Sequence, residues 1–318
     1  MNNALTDDAT TTADIERLTQ ALNTAVKLAE NTRDNANDAL VTSASPVTQE
    51  PEVIAAKDNL TTVLADPKST VAEIAAATTQ YTQAVATANV ARENVNDAGD
   101  KAITAATDVA KEPAVASAIT ALQTAIANAK TDDKTTTQDI QNAINDLTTA
   151  TTAANNANTA AETALAQPSS PVTQEPAVIS AKQTLTETLA DKTSTVAEIK
   201  AATDAYTQAI TTANAAREVA NTAGATAITA ANAVKDEPAV AAAIKNLTDT
   251  IANAKTDDKT TTEAIQAATD ALTAAVTAAN NANAAGQAAL ANDASPVKQE
   301  STVQDAKQAL VDILAEKN

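Results

Sequence analysis

Apolar side chains recur along this chain at alternating steps of three and four residues. One such run passes through Ile74, Thr78, Tyr81, Val85 and Ala88, with threonine at one of the positions. Residues at this spacing line one face of an α-helix, and a sustained alternation is typical of helices that pack side by side. The pattern therefore predicts amphipathic helices. The same steps return at Ile199, Thr203, Tyr206, Ile210 and Ala213, and at Ile140, Ile144, Leu147, Thr151 and Ala154.

The sequence Glu-Pro-x-Val marks a regular repeat. A fixed period over five copies indicates an array of one structural unit. Because proline suits the first turn of a helix, where its missing N–H is not needed, each copy predicts a helix start. The glutamates are Glu50, Glu112, Glu175 and Glu237, and a fifth copy at Glu300 lacks only the proline, so the spacing is 62, 63, 62 and 63 residues.

The period is a double one. The segment Ser-Pro-Val-Thr-Gln-Glu at 45–50 returns 125 residues later at 170–175 and, with one change, at 295–300. A different marker, Lys-Thr-Asp-Asp-Lys-Thr-Thr-Thr, occupies 130–137 and 255–262, with an altered copy at 5–12. Two related modules, called type A and type B here, therefore alternate along the chain.

Start and stop signals divide each module into a short and a long helix. Short helices are predicted over 51–65, 113–130 and 301–316, and long helices over about 12–40, 70–110 and 137–166. In a capping box the Thr hydroxyl oxygen accepts a backbone N–H of the first helical turn. The Glu side chain of that turn in return accepts the backbone N–H of the Thr. Such boxes are predicted for Thr70 with Glu73, Thr195 with Glu198, and Thr260 with Glu263.

Two glycines occupy equivalent places inside long helices, Gly99 and Gly224. Glycine costs roughly 1 kcal/mol against alanine within a helix, so the sequence leaves open whether each helix continues there or has a kink or a local break.

One short and one long helix per period predict an all-α fold. We expect a tandem array of three-helix bundles that share long helices and form an elongated rod. Because the two ends lack complementary parts of a bundle, weak head-to-tail self-association is also expected. The predicted domains are 1–31 (third helix only), 32–92 (type A), 93–156 (type B), 157–217 (type A), 218–281 (type B) and 282–318 (first and second helices).

Composition removes most catalytic chemistry. The chain has no Cys, His, Trp or Phe and a formal charge of −19. Thiolate nucleophiles, imidazole bases and zinc clusters cannot be built, so we expect no enzyme, no catalytic, cofactor-binding or metal residues, and no cofactor. The acidic balance disfavours nucleic acid as a partner, and no apolar run approaches the roughly 20 residues that cross a bilayer.

The remaining candidate residues have simpler explanations. Tyr81 and Tyr206 could stack on a glycan or peptide, but their place on the apolar face favours core packing. The segment 131–134, Thr-Asp-Asp-Lys, lacks the alternating oxygen ligands and the glycine of a calcium loop, so we interpret it as a polar connection. The Glu and Asp side chains are expected to form a solvated face.

The pattern Ile-x-x-Ala-x-x-x-Leu-Thr-x-Ala, at Ile265, Ala268, Leu272, Thr273 and Ala275, follows a short helix and a threonine-rich cap. This arrangement resembles the FIVAR-type three-helix repeats of giant Gram-positive cell-wall adhesins. The alternation of two bundle types is similar to the extracellular-matrix-binding-protein-homologue group in particular. The resemblance covers nearly the whole chain. It implies an extracellular, wall-attached rod that assists adhesion, and it brings no catalytic residues.

The resemblance also implies a signal peptide and a sorting signal. The opening residues 1–7 have neither a charged region nor an apolar region, and the chain starts and stops inside a repeat. We therefore expect it to be part of a longer protein.

Two functions follow as hypotheses. The first is a stalk that holds a distal adhesive domain away from the cell, with an acidic surface that keeps it apart from its neighbours. The second is a multivalent module that binds a host extracellular-matrix protein, plasma protein or glycan weakly at each repeat. Ice binding would need threonines on one flat face. The threonines instead gather at caps and scatter round the helices, which disfavours it.

Overall fold

The computed structural model describes residues 11–42, 46–131, 134–167, 171–256, 259–291 and 297–316, and within them the fold is all-helical, with no strand. The copy of the type B marker at 5–12 and the acidic pair at 132–133 lie largely outside this range. The helices are α1 (Thr12–Val41), α2 (Pro51–Ala65), α3 (Val71–Ala105), α4 (Pro113–Thr131), α5 (Thr137–Ala166), α6 (Pro176–Ala190), α7 (Val196–Ala230), α8 (Pro238–Thr256), α9 (Thr262–Ala291) and α10 (Ser301–Glu316).

The helix predictions are confirmed, with one change of length. All four Glu-Pro prolines begin a helix, and α5 has the predicted limits. The helix that was expected to extend to about residue 110 stops at Ala105, and a 3₁₀ turn over Thr107–Val109 follows it. Thr107 Oγ1 donates to the carbonyl of Thr104 at 2.6 Å, so the side chain satisfies a carbonyl at the end of the helix.

The chain divides into two compact units, Met1–Asn155 and Asn156–Asn318. In the first unit α1, α2 and the first half of α3 contact one another and enclose a hydrophobic cluster, called core 1. The second half of α3 packs against α4. Core 1 consists of Ala36, Val47, Val53, Leu60, Ile74, Ala77, Tyr81 and Ala88.

The second unit contains two such clusters along one helix. The last turns of α5, helix α6 and the first half of α7 form core 2, which contains Ala161, Val172, Val178, Leu185, Ile199, Ala202, Tyr206 and Ala213. The second half of α7, the 3₁₀ turn Ala231–Val234, α8 and the first half of α9 form core 3, which contains Ala220, Ala231, Val234, Val240, Leu247, Ala254, Ile265, Ala268 and Leu272.

Both tyrosines lie in these cores. Tyr81 is buried in core 1 and Tyr206 in core 2. The interpretation of the two side chains as packing residues is therefore confirmed.

The glycine positions hold close helix contacts and not helix breaks. Helices α3 and α7 continue through Gly99 and Gly224 without interruption. A Cβ at Gly99 would lie 2.7 Å from Ile126 Cδ1, and one at Gly224 would lie 2.8 Å from Ile251 Cδ1. Glycine therefore lets α3 approach α4, and α7 approach α8, more closely than alanine would.

Replacement of glycine by alanine tests this account. At Gly286 in α9 a Cβ would meet Leu314 at 3.4 Å, an ordinary contact, so Gly286→Ala is expected to stabilise its helix by up to roughly 1 kcal/mol. Gly99→Ala offers the same gain in propensity, but the Ile126 side chain must move aside. We expect it to gain less than Gly286→Ala or to destabilise. Thermal unfolding of both variants compares them, and an equal gain would contradict the packing role.

The predicted capping boxes are correct at two of three places. Glu73 donates its backbone N–H to Thr70 Oγ1 at 3.2 Å, and the Thr70 N–H returns a bond to Glu73 Oε2 at 2.8 Å. Thr195 and Glu198 repeat this geometry. The third box, Thr260 with Glu263, is wrong by one residue.

In place of that third box, α9 begins at Thr262, and Thr261 Oγ1 accepts the N–H of Ala264 at 3.2 Å. The equivalent helix in the first unit has a box built on aspartate, in which Thr136 N–H donates to Asp139 Oδ2 at 2.8 Å.

The apolar face at the start of α1 is exposed. Ile15 and Leu22 are 40% and 45% exposed, although their counterparts 125 and 250 residues further on are fully buried. Those counterparts are Ile140, Leu147, Ile265 and Leu272.

Candidate functional site

The described residues give no support for a metal site or a transmembrane segment. No group of three or more acidic side chains in these ranges could hold a metal ion. None of the described helices is long and apolar enough to cross a membrane.

The most organised polar site surrounds a buried arginine on α7. Arg217 is 3% exposed and lies between Ala213 of core 2 and Ala220 of core 3. Its Nη2 donates to Glu175 Oε1 at 2.9 Å and also to the carbonyl of Thr260. Its Nη1 donates to the carbonyl of Ala254 at 2.9 Å. A single guanidinium therefore contacts three separate segments of the unit.

Glu175 completes this site from the other side. Its Oε1 accepts the backbone N–H and the Oγ1–H of Thr262, each at 2.7 Å, in addition to the bond from Arg217. Glu175 directly precedes α6, and Thr262 is the first residue of α9. We call the set Glu175, Arg217, Ala254, Thr260 and Thr262 the Arg217 cluster.

The same arrangement occurs in the first unit, 125 residues earlier. Arg92 Nη2 donates to Glu50 Oε1 at 2.8 Å and to the carbonyl of Thr135 at 2.6 Å. Its Nη1 donates to the carbonyls of Ala129, at 2.9 Å, and of Pro46. Glu50 Oε1 accepts both donors of Thr137 at 2.7 Å. We call Glu50, Arg92, Ala129, Thr135 and Thr137 the Arg92 cluster.

The two side chains complement the helix ends that they meet. Ala254 lies in the last turn of α8, where free carbonyls carry partial negative charge, and Arg217 supplies donors to it. The first N–H groups of α9 carry partial positive charge, and the Glu175 carboxylate accepts from one of them. Each cluster therefore places a cation at a helix C-terminus and an anion at a helix N-terminus.

The prediction of a solvated acidic face is wrong for three of the four Glu-Pro glutamates. Glu50, Glu112 and Glu175 are all less than a tenth exposed. Burial of a charge is costly unless the charge is paired, and the arginine and threonine donors provide that pairing for Glu50 and Glu175.

The type B glutamate Glu112 makes a different contact. Glu112 Oε2 accepts the backbone N–H of Val115 at 2.9 Å, so it caps its own helix, α4. The residues that correspond to Arg92 and Arg217, at the same distance from the type B glutamates, are Ala154 and Ala279. An arginine cluster thus occurs once in each double repeat.

Sequence reasoning missed the arginines, although a signal was available. The apolar steps through Val85 and Ala88 continue to Arg92, Val95 and Gly99 with the same alternation of four and three. A charged residue at a core position of a helix requires a partner. The recurrent glutamate of the Glu-Pro motif, conserved in spacing from each arginine, was the available candidate.

Ionisation of the two glutamates is coupled to folding. Burial opposes ionisation of Glu175, but hydrogen bonds from Thr262 and Arg217 outweigh it and hold the pKa of this carboxyl below its usual value. The same balance lowers the pKa of Glu50, with Thr137 and Arg92 as donors. Because the folded-state pKa is lowered, this stabilisation is present above the usual glutamate pKa, about 4.3, and is lost as pH falls through the folded value.

The unfolding free energy of the variant Glu175→Gln is therefore expected to fall less steeply with decreasing pH than that of the parent. The parent should lose stability more steeply than the variant below about pH 4.5, because only the parent has this carboxylate to protonate. Denaturant unfolding at a series of pH values from 6 to 3 measures the difference. Glu218→Gln, which removes one negative charge from the exposed neighbour of Arg217, is the control. Equal slopes in Glu175→Gln and the parent would contradict the assignment.

Comparison with known proteins adds no assignment, because no family model, curated protein or solved structure matches the chain.

Proposed function

We propose that the chain is a non-catalytic stalk of a bacterial cell-surface adhesin, as the resemblance to FIVAR-type repeats implies. In this proposal successive three-helix bundles share long helices and form an elongated rod outside the cell, attached to the cell wall through parts of a longer protein. The rod would hold an adhesive domain at a distance from the cell.

The observation that carries the proposal is the recurrence of the buried arginine cluster at the 125-residue spacing. Arg217 lies on one long helix between two hydrophobic cores and bonds to segments that belong to both of them. A spacer needs successive modules to keep a fixed relation under thermal motion, and a buried ion pair with a defined geometry favours one arrangement over others. In both clusters the two Nη atoms of the arginine and one carboxylate oxygen of the glutamate bond to groups of the same unit, which supports a structural role.

Small-angle X-ray scattering on the chain tests the stalk. Helices that continue from bundle to bundle would give a maximum dimension of roughly 160–200 Å and a thin, rod-like cross-section, since an α-helix rises about 1.5 Å per residue. Dilution to the limit of detection removes association. A much shorter particle, or one that behaves as a flexible string, would refute the spacer. Multivalent binding to a host protein or glycan would then become the better proposal, and its affinity should rise with repeat number.

Head-to-tail self-association remains a prediction, and the exposed side chains of Ile15, Leu22 and Val26 on α1 support it. We expect the sedimentation coefficient to rise with protein concentration and the rise to disappear in Leu22→Asp. A coefficient that stays monomeric up to high concentration would refute the association.

A further inference from the structure

We infer that each arginine cluster couples the two hydrophobic cores on either side of it, so that a type A module and the type B module after it unfold as one unit. This inference concerns cooperativity within a double repeat and does not depend on the stalk function. Its basis is clearest around Arg217, where both cores are defined.

Arg217 lies at the boundary between core 2 and core 3. Core 2 ends on α7 at Ala213, core 3 begins on α7 at Ala220, and Arg217 is the buried residue between them. The two cores therefore share the backbone of α7, and the arginine is the polar group that separates their apolar contacts.

The partners of Arg217 come from helices of both cores. Glu175 directly precedes α6, whose Val178 and Leu185 belong to core 2. Ala254 is itself a member of core 3, and Thr262 begins the helix that supplies Ile265 to core 3. The Glu175 carboxylate and the Arg217 guanidinium thus join the start of a core 2 helix to the end of one core 3 helix and the start of another.

Unfolding of either core leaves charged groups of the Arg217 cluster without partners. If α6 unfolds, Glu175 leaves and the Arg217 charge remains buried against backbone carbonyls with no carboxylate. If α8 and α9 separate from α7, both Glu175 and Arg217 lose their neutral partners. A buried charge without its partner is strongly unfavourable, so opening of either core raises the free energy of the other. The shared α7 backbone alone carries no such penalty.

The coupling is measured by a core mutation and its distant effect. Leu185→Ala in the full-length chain destabilises core 2, since Leu185 is fully buried there. Amide hydrogen exchange of α8, which lies in core 3, is then compared with that of the parent chain. We expect exchange in α8 to rise by at least roughly tenfold. The same substitution is introduced into an Arg217→Met background, where the rise in α8, relative to that background, should fall to less than about twofold.

Matched variants control this result. Arg92→Met removes the equivalent arginine from the first unit and should leave the response of α8 to Leu185→Ala at the parent value. Thr262→Val is the milder variant, because it removes one hydroxyl donor from Glu175 and keeps the ion pair. It should give an intermediate rise. If the amides of α8 already exchange too fast to measure in Arg217→Met, the effect of Leu185→Ala is compared between the parent and Thr262→Val.

Two outcomes would overturn the inference. An equal response of α8 with and without Arg217 would show that the coupling passes through the α7 backbone. No response of α8 to Leu185→Ala in the parent chain would show that the two cores unfold independently. Arg217→Lys separates charge from geometry, because lysine keeps the charge and loses the planar fork. A response restored to the parent value would assign the coupling to charge alone.

Discussion

Arg217→Met is expected to lower the unfolding free energy of the second unit by roughly 3–5 kcal/mol, the usual cost of removing one partner from a buried ion pair. The Glu175 carboxylate would keep its bonds from Thr262 but lose the Arg217 guanidinium, which contacts it at 2.9 Å. The carbonyls of Ala254 and Thr260 would also lose their arginine donors. Hydrogen exchange of the amides in α6 to α9 measures the loss in this unit separately from the first unit, which has its own intact cluster.

A matched exposed pair provides the control for this prediction. Lys200 and Asp204 form an ion pair at 2.7 Å on the same helix, and both side chains are largely in solvent. Lys200→Met is expected to change stability by less than about 1 kcal/mol, because water screens the pair. The double variant Arg217→Met with Glu175→Gln should cost less than the sum of the single variants, since neither charge is left alone. Equal losses for Arg217→Met and Lys200→Met would contradict a stabilising cluster.

Leu272→Ala is expected to destabilise core 3 by roughly 2–5 kcal/mol, because a fully buried leucine leaves a cavity when it is shortened. The chain itself offers an unusual control. Leu22 stands at the same position of the repeat, 250 residues earlier, but is 45% exposed. Leu22→Ala should cost much less, under about 1 kcal/mol. Denaturant unfolding of the two variants at low protein concentration gives the comparison.

The outcome for Leu22 also depends on association. If Leu22 packs against a second copy at high concentration, Leu22→Ala should become more costly as the concentration rises, whereas the cost of Leu272→Ala should not change. A similar loss for both leucines at high dilution would show that the α1 face is covered by the chain itself.

The helices and the apolar cores followed from the sequence because their signals are local. The prolines at Pro51, Pro113, Pro176 and Pro238 fix helix starts whatever the rest of the chain does. The alternating steps placed Tyr81 and Tyr206 in a core because a helix presents those positions on one face. Repetition strengthened each of these predictions by supplying a second copy with the same pattern.

The arginine clusters were not predicted from the sequence, because the residues that contact one another in them are far apart along the chain. Glu50 meets Thr137, which is 87 residues away, and Arg92 meets Ala129, which is 37 residues away. The spacing of Arg92 along the apolar steps marks it as a charge that needs a partner, but only the packing of four helices shows which segments supply that partner. The helix stop at Ala105 was missed for a similar reason. In the 3₁₀ turn that follows, Ala106 and Val109 are buried by tertiary contacts, whereas the local sequence is compatible with a continued α-helix.

The first residue of each long helix determines which modules can be lost or gained without breaking an arginine cluster. Type B long helices begin with Thr137 or Thr262, whose hydroxyl meets the clustered glutamate, whereas type A long helices begin with Val71 or Val196, which have none. Deletion of a type B module by recombination would bring a valine, which has no hydroxyl, to the place where Glu50 or Glu175 meets a threonine. Deletion or duplication of 125 residues would preserve every partner. The gene should therefore tolerate expansion and contraction in steps of two modules, and changes that leave a type A module without a type B module after it should be selected against.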